Sequence, residues 1–267
     1  MTSENSPRSV IVLKIGGSVA GEDGAALDTI ASLHDSGHSL AVVHGGGPLV
    51  GEWAGRLGLE TRFVRGLRVT DEPTRDLALA VLGGLANARV VVALGARAVP
   101  AVGLSGIDGG MLRAQREDSE LGFVGNIRRV DSALLEELID AGRVPVVAPA
   151  ALEEPPPSEG VPDVLNVNAD SAAGAIAASL GARLLVFITD VPGVRAKDGK
   201  VLATLDRERA KALVDDGTIE GGMLPKVEAC LVASNAGCRA AIVDARMADA
   251  VERLLAGERV GTVFEAA

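Results

Sequence analysis

Two lysines stand beside glycine pairs near opposite ends of the chain. Lys14 opens the stretch KIGGS, and Lys226 closes the stretch GGMLPK. Lys14 also interrupts an apolar run, and a charge in a buried strand is costly unless a partner compensates it. Glycines let backbone N–H groups approach a ligand closely. These residue types predict a site for an anion such as a phosphate group, although a lysine at a strand edge or in a surface loop would give the same letters.

A third glycine-rich stretch, HGGGP, begins at His44 and offers bare amides at Gly45 and Gly46, just before a predicted helix. The positive end of a helix adds to such an anion site. Neither this stretch nor the one from Gly193 to Lys200 matches the dinucleotide or P-loop spacing. A nucleotide would therefore be bound outside those two classes. A long turn with a hydrogen-bonded structural histidine is the alternative.

Two further stretches carry polar groups suited to a small acidic ligand. Arg68 in GLRVTD can hold a carboxylate through two parallel hydrogen bonds, and a surface ion pair is its alternative role. In LNVNAD, Asn166 and Asn168 fall on the same side of an extended segment. Asp170 then falls at or near a helix N-cap, where it either caps the helix or orients the lysines.

Buried strands must position these groups, because apolar runs such as SVIVLKI, SLAVVH and ARLLVFIT alternate with amphipathic stretches. Such alternation predicts a mostly parallel sheet that is covered by helices on both faces. Ligands in such sheets bind at the carboxyl ends of the strands. The same rule makes Thr189, Asp190 and Gly193, in the turn TDVPGV, candidates for a nucleotide site, with a plain β-turn as the alternative.

The composition restricts the class of protein. The 267 residues carry 26 basic and 36 acidic side chains, and this net charge of −10 argues against a broad nucleic-acid surface. Hydrophobic residues make up 48% of the chain and aromatic residues 2%, so the core must be aliphatic. The N-terminus does not resemble a signal peptide, we found no apolar run of about 18 residues, and the two cysteines form no CxxC pair. We therefore expect a cytoplasmic protein with buried, reduced thiols.

Taken in order, KIGGS, HGGGP, GLRVTD, LNVNAD, TDVPGV and GTIEGGMLPKVEA resemble the amino-acid kinase family over nearly the whole chain. Within it they are most similar to the branch that phosphorylates N-acetyl-L-glutamate in arginine biosynthesis. Each motif alone is modestly specific, whereas their joint order and spacing are highly specific. The resemblance implies a three-layer αβα sandwich, with an amino-acid-substrate lobe at residues 1–181 and an ATP lobe at residues 182–267.

The resemblance also implies the reaction and the residues that perform it. The γ-phosphoryl group of ATP, accompanied by Mg²⁺, would pass to the γ-carboxylate of N-acetyl-L-glutamate, and no protein side chain is identified as a metal ligand. By motif, Lys14 and Lys226 would be the transition-state cations, and Asp170 would orient them. The substrate ligands would be Gly45, Gly46, Arg68 and Asn166. Gly16 and Gly17 would lie beside the transferring group, and the ATP site would include Thr189, Asp190, Gly193, Gly221, Gly222 and Met223.

Two departures from the family pattern lie beside the expected substrate pocket. Arg65 stands where asparagine is common, and the loop 153–162 is long, acidic and rich in proline. They weaken the identity of the substrate more than the reaction class. A kinase of a carrier-protein-linked aminoadipate or glutamate, and a non-catalytic sensor of acetylglutamate or ATP, are the alternatives. The acidic loop argues against the first, and retention of both lysines argues against the second.

The long apolar helix predicted from about Arg75 to Leu94 has few polar positions, which favours a homodimer interface over a fully exposed helix. Burial inside one chain is the alternative. Family members that arginine inhibits carry an extra N-terminal helix, whereas about ten residues precede the first strand here. We therefore expect a dimer without arginine feedback.

Overall fold

The computed structural model describes residues 9–16, 24–156 and 162–266. Its strands are β1 (Val10–Ile15), β2 (Ser39–His44), β3 (Phe63–Val64), β4 (Leu67–Arg68), β5 (Ala101–Ser105), β6 (Leu112–Arg116), β7 (Val124–Val130), β8 (Val144–Ala148), β9 (Ala150–Glu153), β10 (Val164–Val167), β11 (Leu184–Thr189), β12 (Arg239–Asp244) and β13 (Thr262–Phe264).

The α-helices are α1 (Gly24–Asp35), α2 (Gly47–Arg56), α3 (Glu72–Leu79), α4 (Asn87–Gly95), α5 (Ala133–Asp140), α6 (Ala169–Ser179), α7 (Arg207–Asp215), α8 (Met223–Asn235) and α9 (Ala250–Leu255). A π-helical segment, Ala80–Ala86, joins α3 to α4, and a short 3₁₀ turn spans Asp108–Gly110.

The main sheet has the strand order β13-β12-β11-β1-β2-β8-β5, and only β13 runs antiparallel to its neighbour. Alternate residues of β1 point to opposite faces of the sheet. Ile11, Leu13 and Ile15 join a core cluster that contains residues of α1, α4 and α9. Val10 and Val12 join the cluster of α5, α6 and α8. The prediction of a mostly parallel sheet between two helical layers is confirmed.

A second, smaller sheet closes on itself in the order β10-β7-β6-β9. Its β6–β7 pair is antiparallel, and its β6–β9 pair is parallel. The sequence interpretation did not include α5, α7 or the β3–β4 hairpin. Of the acidic proline-rich stretch, residues 157–161 lie outside the described ranges.

The predicted long apolar helix is present as the continuous run Glu72–Gly95. It has 24 residues, and its most apolar window reaches a mean hydropathy of 2.0, so by length and composition alone it could cross a membrane. This differs from our expectation that no such run exists. The window is 44% buried inside the chain. One side of the run packs against the protein core through Leu77, Val81, Leu82 and Val90. The run is therefore a helix of the core with its other side exposed.

Candidate active site

Two lysine ammonium groups share one buried carboxylate near the carboxyl edge of the main sheet. Lys14 Nζ lies 2.7 Å from Asp170 Oδ1, and Lys226 Nζ donates to Asp170 Oδ2 at 2.9 Å. Lys14 is 7% exposed and Asp170 is 5% exposed. The three charges sum to one positive charge in a place with little water to screen it. Such a site attracts an anion.

Three elements bring these groups together. Lys14 lies on β1 and follows the alternation of Val10 and Val12, so it points to the face that α6 and α8 cover. Asp170 is the second residue of α6, and Lys226 lies in the first turn of α8, which starts at Met223. The two helices make an extensive mutual contact, which fixes the carboxylate between the two ammonium groups.

The N-terminus of α6 is capped by a residue other than Asp170, for which the sequence left a capping role open. Asn168 is the N-cap of α6, because its Oδ1 accepts hydrogen bonds from the N–H groups of Asp170 (2.8 Å) and Ser171 (3.1 Å). The capping role considered for Asp170 is therefore wrong, and its side chain is left to pair with the lysines. The available signal was Asn168 itself, since asparagine is among the best capping residues.

The electrostatics of Lys14 follow from its burial. Burial lowers the pKa of Lys14 below its ordinary value, because the protein interior solvates the ammonium poorly. The carboxylate of Asp170 opposes this shift, and the charge of Lys226 adds to it. Asp170 is therefore the group that favours the charged form of Lys14.

A cavity of about 600 Å³ opens beside the lysine–carboxylate cluster. Its lining includes Lys14, Gly45, Gly46, Arg68, Asn166 and Asp170, together with apolar residues such as Val50, Leu82 and Val124. The structure thus brings the predicted substrate ligands and two of the predicted catalytic residues to one space. A cavity with charged groups at some points and apolar walls elsewhere suits a small acidic molecule with an apolar part.

Arg68 is held in this cavity wall by three contacts. Its Nη2 donates to Gly47 O at 2.9 Å, and its Nη1 donates to Thr61 Oγ1 at 3.2 Å. Its guanidinium carbon lies 4.9 Å from the centroid of the Phe63 ring. Because none of these partners is a carboxylate, the positive charge is available to a ligand.

Asn166 lies across the cavity on β10. Its Nδ2 donates to Thr70 Oγ1 at 3.4 Å, and Thr70 Oγ1 donates to Arg68 O at 2.8 Å. Thr70 is fully buried. The stretches GLRVTD and LNVNAD, which are far apart in sequence, therefore meet through Thr70, a contact that the sequence did not predict.

The glycine loop after β2 differs in detail from the expectation. The Gly45 N–H donates to Ile15 O at 3.1 Å, so this amide is used within the protein. The sequence interpretation had instead assigned it to a ligand. Gly46 is the N-cap of α2, and Gly47 is its first residue. The first N–H groups of a helix have no partner within the helix. Gly46 and Gly47 are thus the pair that can offer amides to the cavity.

A buried side-chain pair supports that loop. The His44 Nδ1 donates to Gly45 O at 2.9 Å, and Asn87 Nδ2 donates to His44 Nε2 at 3.1 Å. This pattern requires a neutral imidazole, in agreement with a pKa that burial lowers. His44 is therefore a structural histidine, which is the alternative that the sequence left open. Asn87 was not predicted, although a polar residue within an apolar helix was an available signal.

The predicted nucleotide residues fall into two groups. Gly221 and Gly222 border a second cavity of about 370 Å³ together with Asn168, Asp170 and Lys226, and Met223 begins α8 beside them. Thr189 ends β11, and Asp190 and Gly193 follow it, but these three do not border either cavity.

Further glycines were predicted to lie near the phosphates or the nucleotide. Gly193 has φ 141°, and a Cβ there would lie 2.6 Å from Thr262 Oγ1, so this turn requires glycine. Gly16 directly follows β1, whereas Gly17 lies outside the described residues.

A metal site built from protein side chains is not present in the described part of the chain, where no three His, Cys, Asp or Glu residues cluster. Asp170, the acidic residue nearest to the two lysines, is occupied by them. A metal ion at this position would therefore have to be held mainly by the bound ligand and by water.

Comparisons with known proteins agree with this geometry. The model of the amino acid kinase family matches residues 9–244. An acetylglutamate kinase of Dehalococcoides mccartyi (strain ATCC BAA-2266 / KCTC 15142 / 195) is 41% identical over 255 residues, which cover 96% of this chain and 94% of that protein. An acetylglutamate kinase of Methanopyrus kandleri is 45% identical over 242 residues, which cover 87% and 93% of the two chains.

Solved structures show the same fold. The smu.665 protein of Streptococcus mutans UA159 superposes with a TM-score of 0.79 at 24% identity, over 97% of this chain and all of that chain. A Giardia carbamate kinase superposes with a TM-score of 0.71 at 16% identity, over 97% of this chain and 99% of that one. At these identities the likeness concerns the fold alone, and the αβα sandwich is confirmed. Together with the family match and the closely similar kinases, it establishes that this chain belongs to the amino acid kinase family.

Proposed function

We propose that this enzyme transfers the γ-phosphoryl group of ATP to the γ-carboxylate of N-acetyl-L-glutamate. The products are N-acetyl-L-glutamyl 5-phosphate and ADP, and the reaction is a step of arginine biosynthesis. The observation that carries this proposal is the pair of ammonium groups held by Asp170 at the edge of a cavity that also contains Arg68 and Asn166. Relatives 38–45% identical to the chain are acetylglutamate kinases, which supports the same reaction.

The chemistry explains why two lysines and no general base are needed. The acceptor is a carboxylate, which is ionised at neutral pH, so no proton has to be removed from it. The barrier arises because an anion must approach a polyanion. Catalysis of phosphoryl transfer is then mostly positioning and stabilisation of charge. Lys14 and Lys226 supply the charge, and Asp170 holds both without being the site of the reaction.

The cavity supplies the positioning. Arg68 would hold the α-carboxylate of the substrate through its guanidinium, and Asn166 would hold another polar group. The amides of Gly46 and Gly47, at the positive end of α2, would bind the reacting carboxylate. The apolar wall at Val50, Leu82 and Val124 would accommodate the acetyl methyl group.

ATP use follows from the kinase family, and the Mg²⁺ that we propose to accompany it would be held by phosphate oxygens and water. Mg²⁺ commonly keeps several waters and binds through substrate phosphates. This agrees with the absence of an acidic cluster in the described residues. The charge that the protein itself contributes would come from the lysines.

We also propose how the chain divides into two lobes and how two copies of it associate. The substrate lobe would comprise residues 1–181, with ATP bound by residues 182–267, and the division falls between α6 and β11. The two lobes would share the main sheet, in which β11 pairs with β1. We further propose a cytoplasmic homodimer that forms through the exposed face of the Glu72–Gly95 run.

The test is a coupled assay for ADP release by the purified protein with N-acetyl-L-glutamate, L-glutamate and L-aspartate as acceptors. We expect turnover with N-acetyl-L-glutamate and little with the other two. Turnover of L-glutamate or L-aspartate in preference to N-acetyl-L-glutamate, or binding of ATP without turnover of any acceptor, would overturn the proposal.

A further inference from the structure

We propose that Phe123 is a positioning residue for acetylglutamate binding. Its ring is held by Arg75 and Arg116, and its backbone joins Thr70 to Asn166. Fixing the ring therefore fixes the distance between two walls of the substrate cavity. The kinetic part of this inference rests on the proposed function, whereas the structural part can be tested without any substrate.

The backbone of Phe123 connects the two stretches that carry the substrate ligands. Its N–H donates to Thr70 O at 2.7 Å, and its carbonyl accepts from the Asn166 N–H at 2.9 Å. The preceding Gly122 has φ 68°, and a Cβ there would lie 2.4 Å from Thr70 O. The turn thus fits tightly against Thr70. A shift of residue 123 would move Val124, which lines the main cavity, as well as Asn166.

Two guanidinium groups lie close to the Phe123 ring. The Arg75 carbon Cζ is 4.5 Å from the ring centroid, and the Arg116 carbon Cζ is 4.2 Å from it. Both distances are within the range of a cation–π interaction. Arg75 belongs to α3, which follows the GLRVTD stretch, and Arg116 ends β6. The ring is therefore tied to two elements that approach it from different parts of the chain.

Acidic side chains compensate the two positive charges. Asp163 Oδ1 is 3.4 Å from Arg75 Nη1, and its Oδ2 is 2.8 Å from Arg116 Nη2. Glu153 Oε1 is 2.7 Å from Arg116 Nε. Because Asp163 immediately precedes β10, the same network also anchors the strand that carries Asn166. The two Asp163 contacts thus link the arginines to the strand that lies on the polar wall of the cavity.

The first experiment replaces the aromatic ring. Phe123→Leu keeps an apolar side chain but removes the π face, and Phe123→Tyr restores it. For Phe123→Leu we expect the KM for acetylglutamate to rise about tenfold, which corresponds to about 1.4 kcal/mol of lost interaction, with the KM for ATP within about twofold of the parent. Phe123→Tyr should return the acetylglutamate KM to within about twofold of the parent.

A second variant tests the cation–π contact while the ring stays in place. Arg116→Gln removes one guanidinium and leaves the ring, and we expect the acetylglutamate KM to rise by about threefold. Trp53→Leu is the matched control, because Arg56 lies 5.0 Å from the Trp53 ring and Trp53 does not line the main cavity. This control should leave both KM values within about twofold of the parent.

Amide hydrogen exchange supplies the readout that needs no substrate. In Phe123→Leu, the amides of residue 123 and Asn166 should exchange at least about tenfold faster, while the amide of Val186 in the main sheet should not change. An unchanged acetylglutamate KM, unchanged exchange at these two amides, or an equal change in both KM values and in Val186 exchange would overturn the inference. If the parent does not phosphorylate acetylglutamate, the proposed function fails and exchange alone decides the inference.

Discussion

At the scale of single residues, the central feature is that one carboxylate balances two ammonium groups. Removing one partner of a buried ion pair leaves an uncompensated charge, which is strongly unfavourable. Asp170 avoids this for Lys14 and Lys226 before any ligand binds. In the proposed function, the net positive charge of the cluster would lie in place for the transferring phosphoryl group. Preorganised charge of this kind needs no rearrangement during the reaction.

Lys226→Ala tests the catalytic part of this arrangement. Loss of one preorganised cation should lower kcat by roughly 10²–10³-fold, because charge develops on the transferring group in the transition state. The coupled ADP-release assay measures kcat, and circular dichroism checks that the variant is folded.

The control for this substitution is Lys211→Ala. Lys211 is exposed and pairs with Asp215 at 2.6 Å on the surface of α7. Exposed pairs of this kind contribute little, so kcat should stay within about twofold of the parent. Near-normal turnover in Lys226→Ala would contradict the assignment.

The pH dependence follows from the direction of the Lys14 shift. Burial lowers the pKa of Lys14 below 10.5, and only the protonated ammonium can stabilise phosphate charge. The rate should therefore fall as pH rises through this lowered pKa. Asp170→Asn removes the group that raises the pKa, so the alkaline limb of kcat should move to lower pH. Profiles of kcat from about pH 7 to pH 10 measure this, and a shift to higher pH would contradict it.

Several site residues could be predicted from the sequence, and others could not. Lys14, Asp170 and Lys226 belong to short stretches whose order matches a family, and ligands of parallel sheets bind where the strands end. The role of Asn87 depends on His44, and that of Phe123 depends on Arg75 and Arg116. Such roles depend on contacts between segments that are distant in sequence. The local spacing of residues therefore cannot predict them.

At the scale of elements, the crossing of α6 and α8 decides the geometry of the cluster. Gly174 lies one turn after Asp170, and Ala229 lies about one turn after Lys226. A Cβ at position 174 would be 2.8 Å from Ala229 O and 2.9 Å from its Cα. These are backbone atoms of a packed helix, so they cannot move aside as a flexible side chain would. The absence of a side chain at Gly174 therefore sets how closely the two helices approach.

Gly174→Ala should force α8 away from α6. We expect the free energy of unfolding to fall by about 1–3 kcal/mol through overpacking, although alanine favours a helix by about 1 kcal/mol. We also expect kcat to fall about tenfold, because the contact between Lys226 and Asp170 is stretched. Urea unfolding and the ADP-release assay measure the two effects.

Gly55→Ala is the matched control within another helix. Gly55 lies in α2, and a Cβ there would meet no atom within 4 Å. This variant should gain up to about 1 kcal/mol in unfolding free energy, with kcat unchanged. An equal gain in Gly174→Ala would show that the close approach of the helices is not a constraint.

Element prediction succeeded where apolar periodicity is strong. The runs around β1, β2 and β11 are apolar because both faces of a parallel sheet are buried. The small closed sheet was harder, since β9 and β10 have four residues each and their pairing is not encoded in their periodicity. The π segment Ala80–Ala86 was also not predictable, because the same apolar letters suit an α-helix.

At the scale of the whole molecule, the main sheet joins the two proposed lobes. Lys14 lies on β1, which pairs on one side with β2 and on the other with β11. The proposed substrate cavity lies towards β2, and the proposed nucleotide residues lie towards β11 and α8. The lysine cluster is thus located where the two substrates would meet. This position would let Lys14 contact both substrates.

The proposed dimer concerns the outer face of the Glu72–Gly95 run. Ala80, Gly84, Ala88 and Val92 are exposed at intervals of four residues and so share one face of the helix, and Val92 is 72% exposed. An apolar face of small residues allows close packing against a second copy. Val92→Lys would place a charge in that contact and should convert a dimer to a monomer in light scattering, because burying an unpaired charge is costly. Leu57→Lys, at another exposed apolar residue, should remain dimeric. A monomeric or hexameric parent, or a Val92→Lys variant that stays dimeric, would show that this face is not the interface.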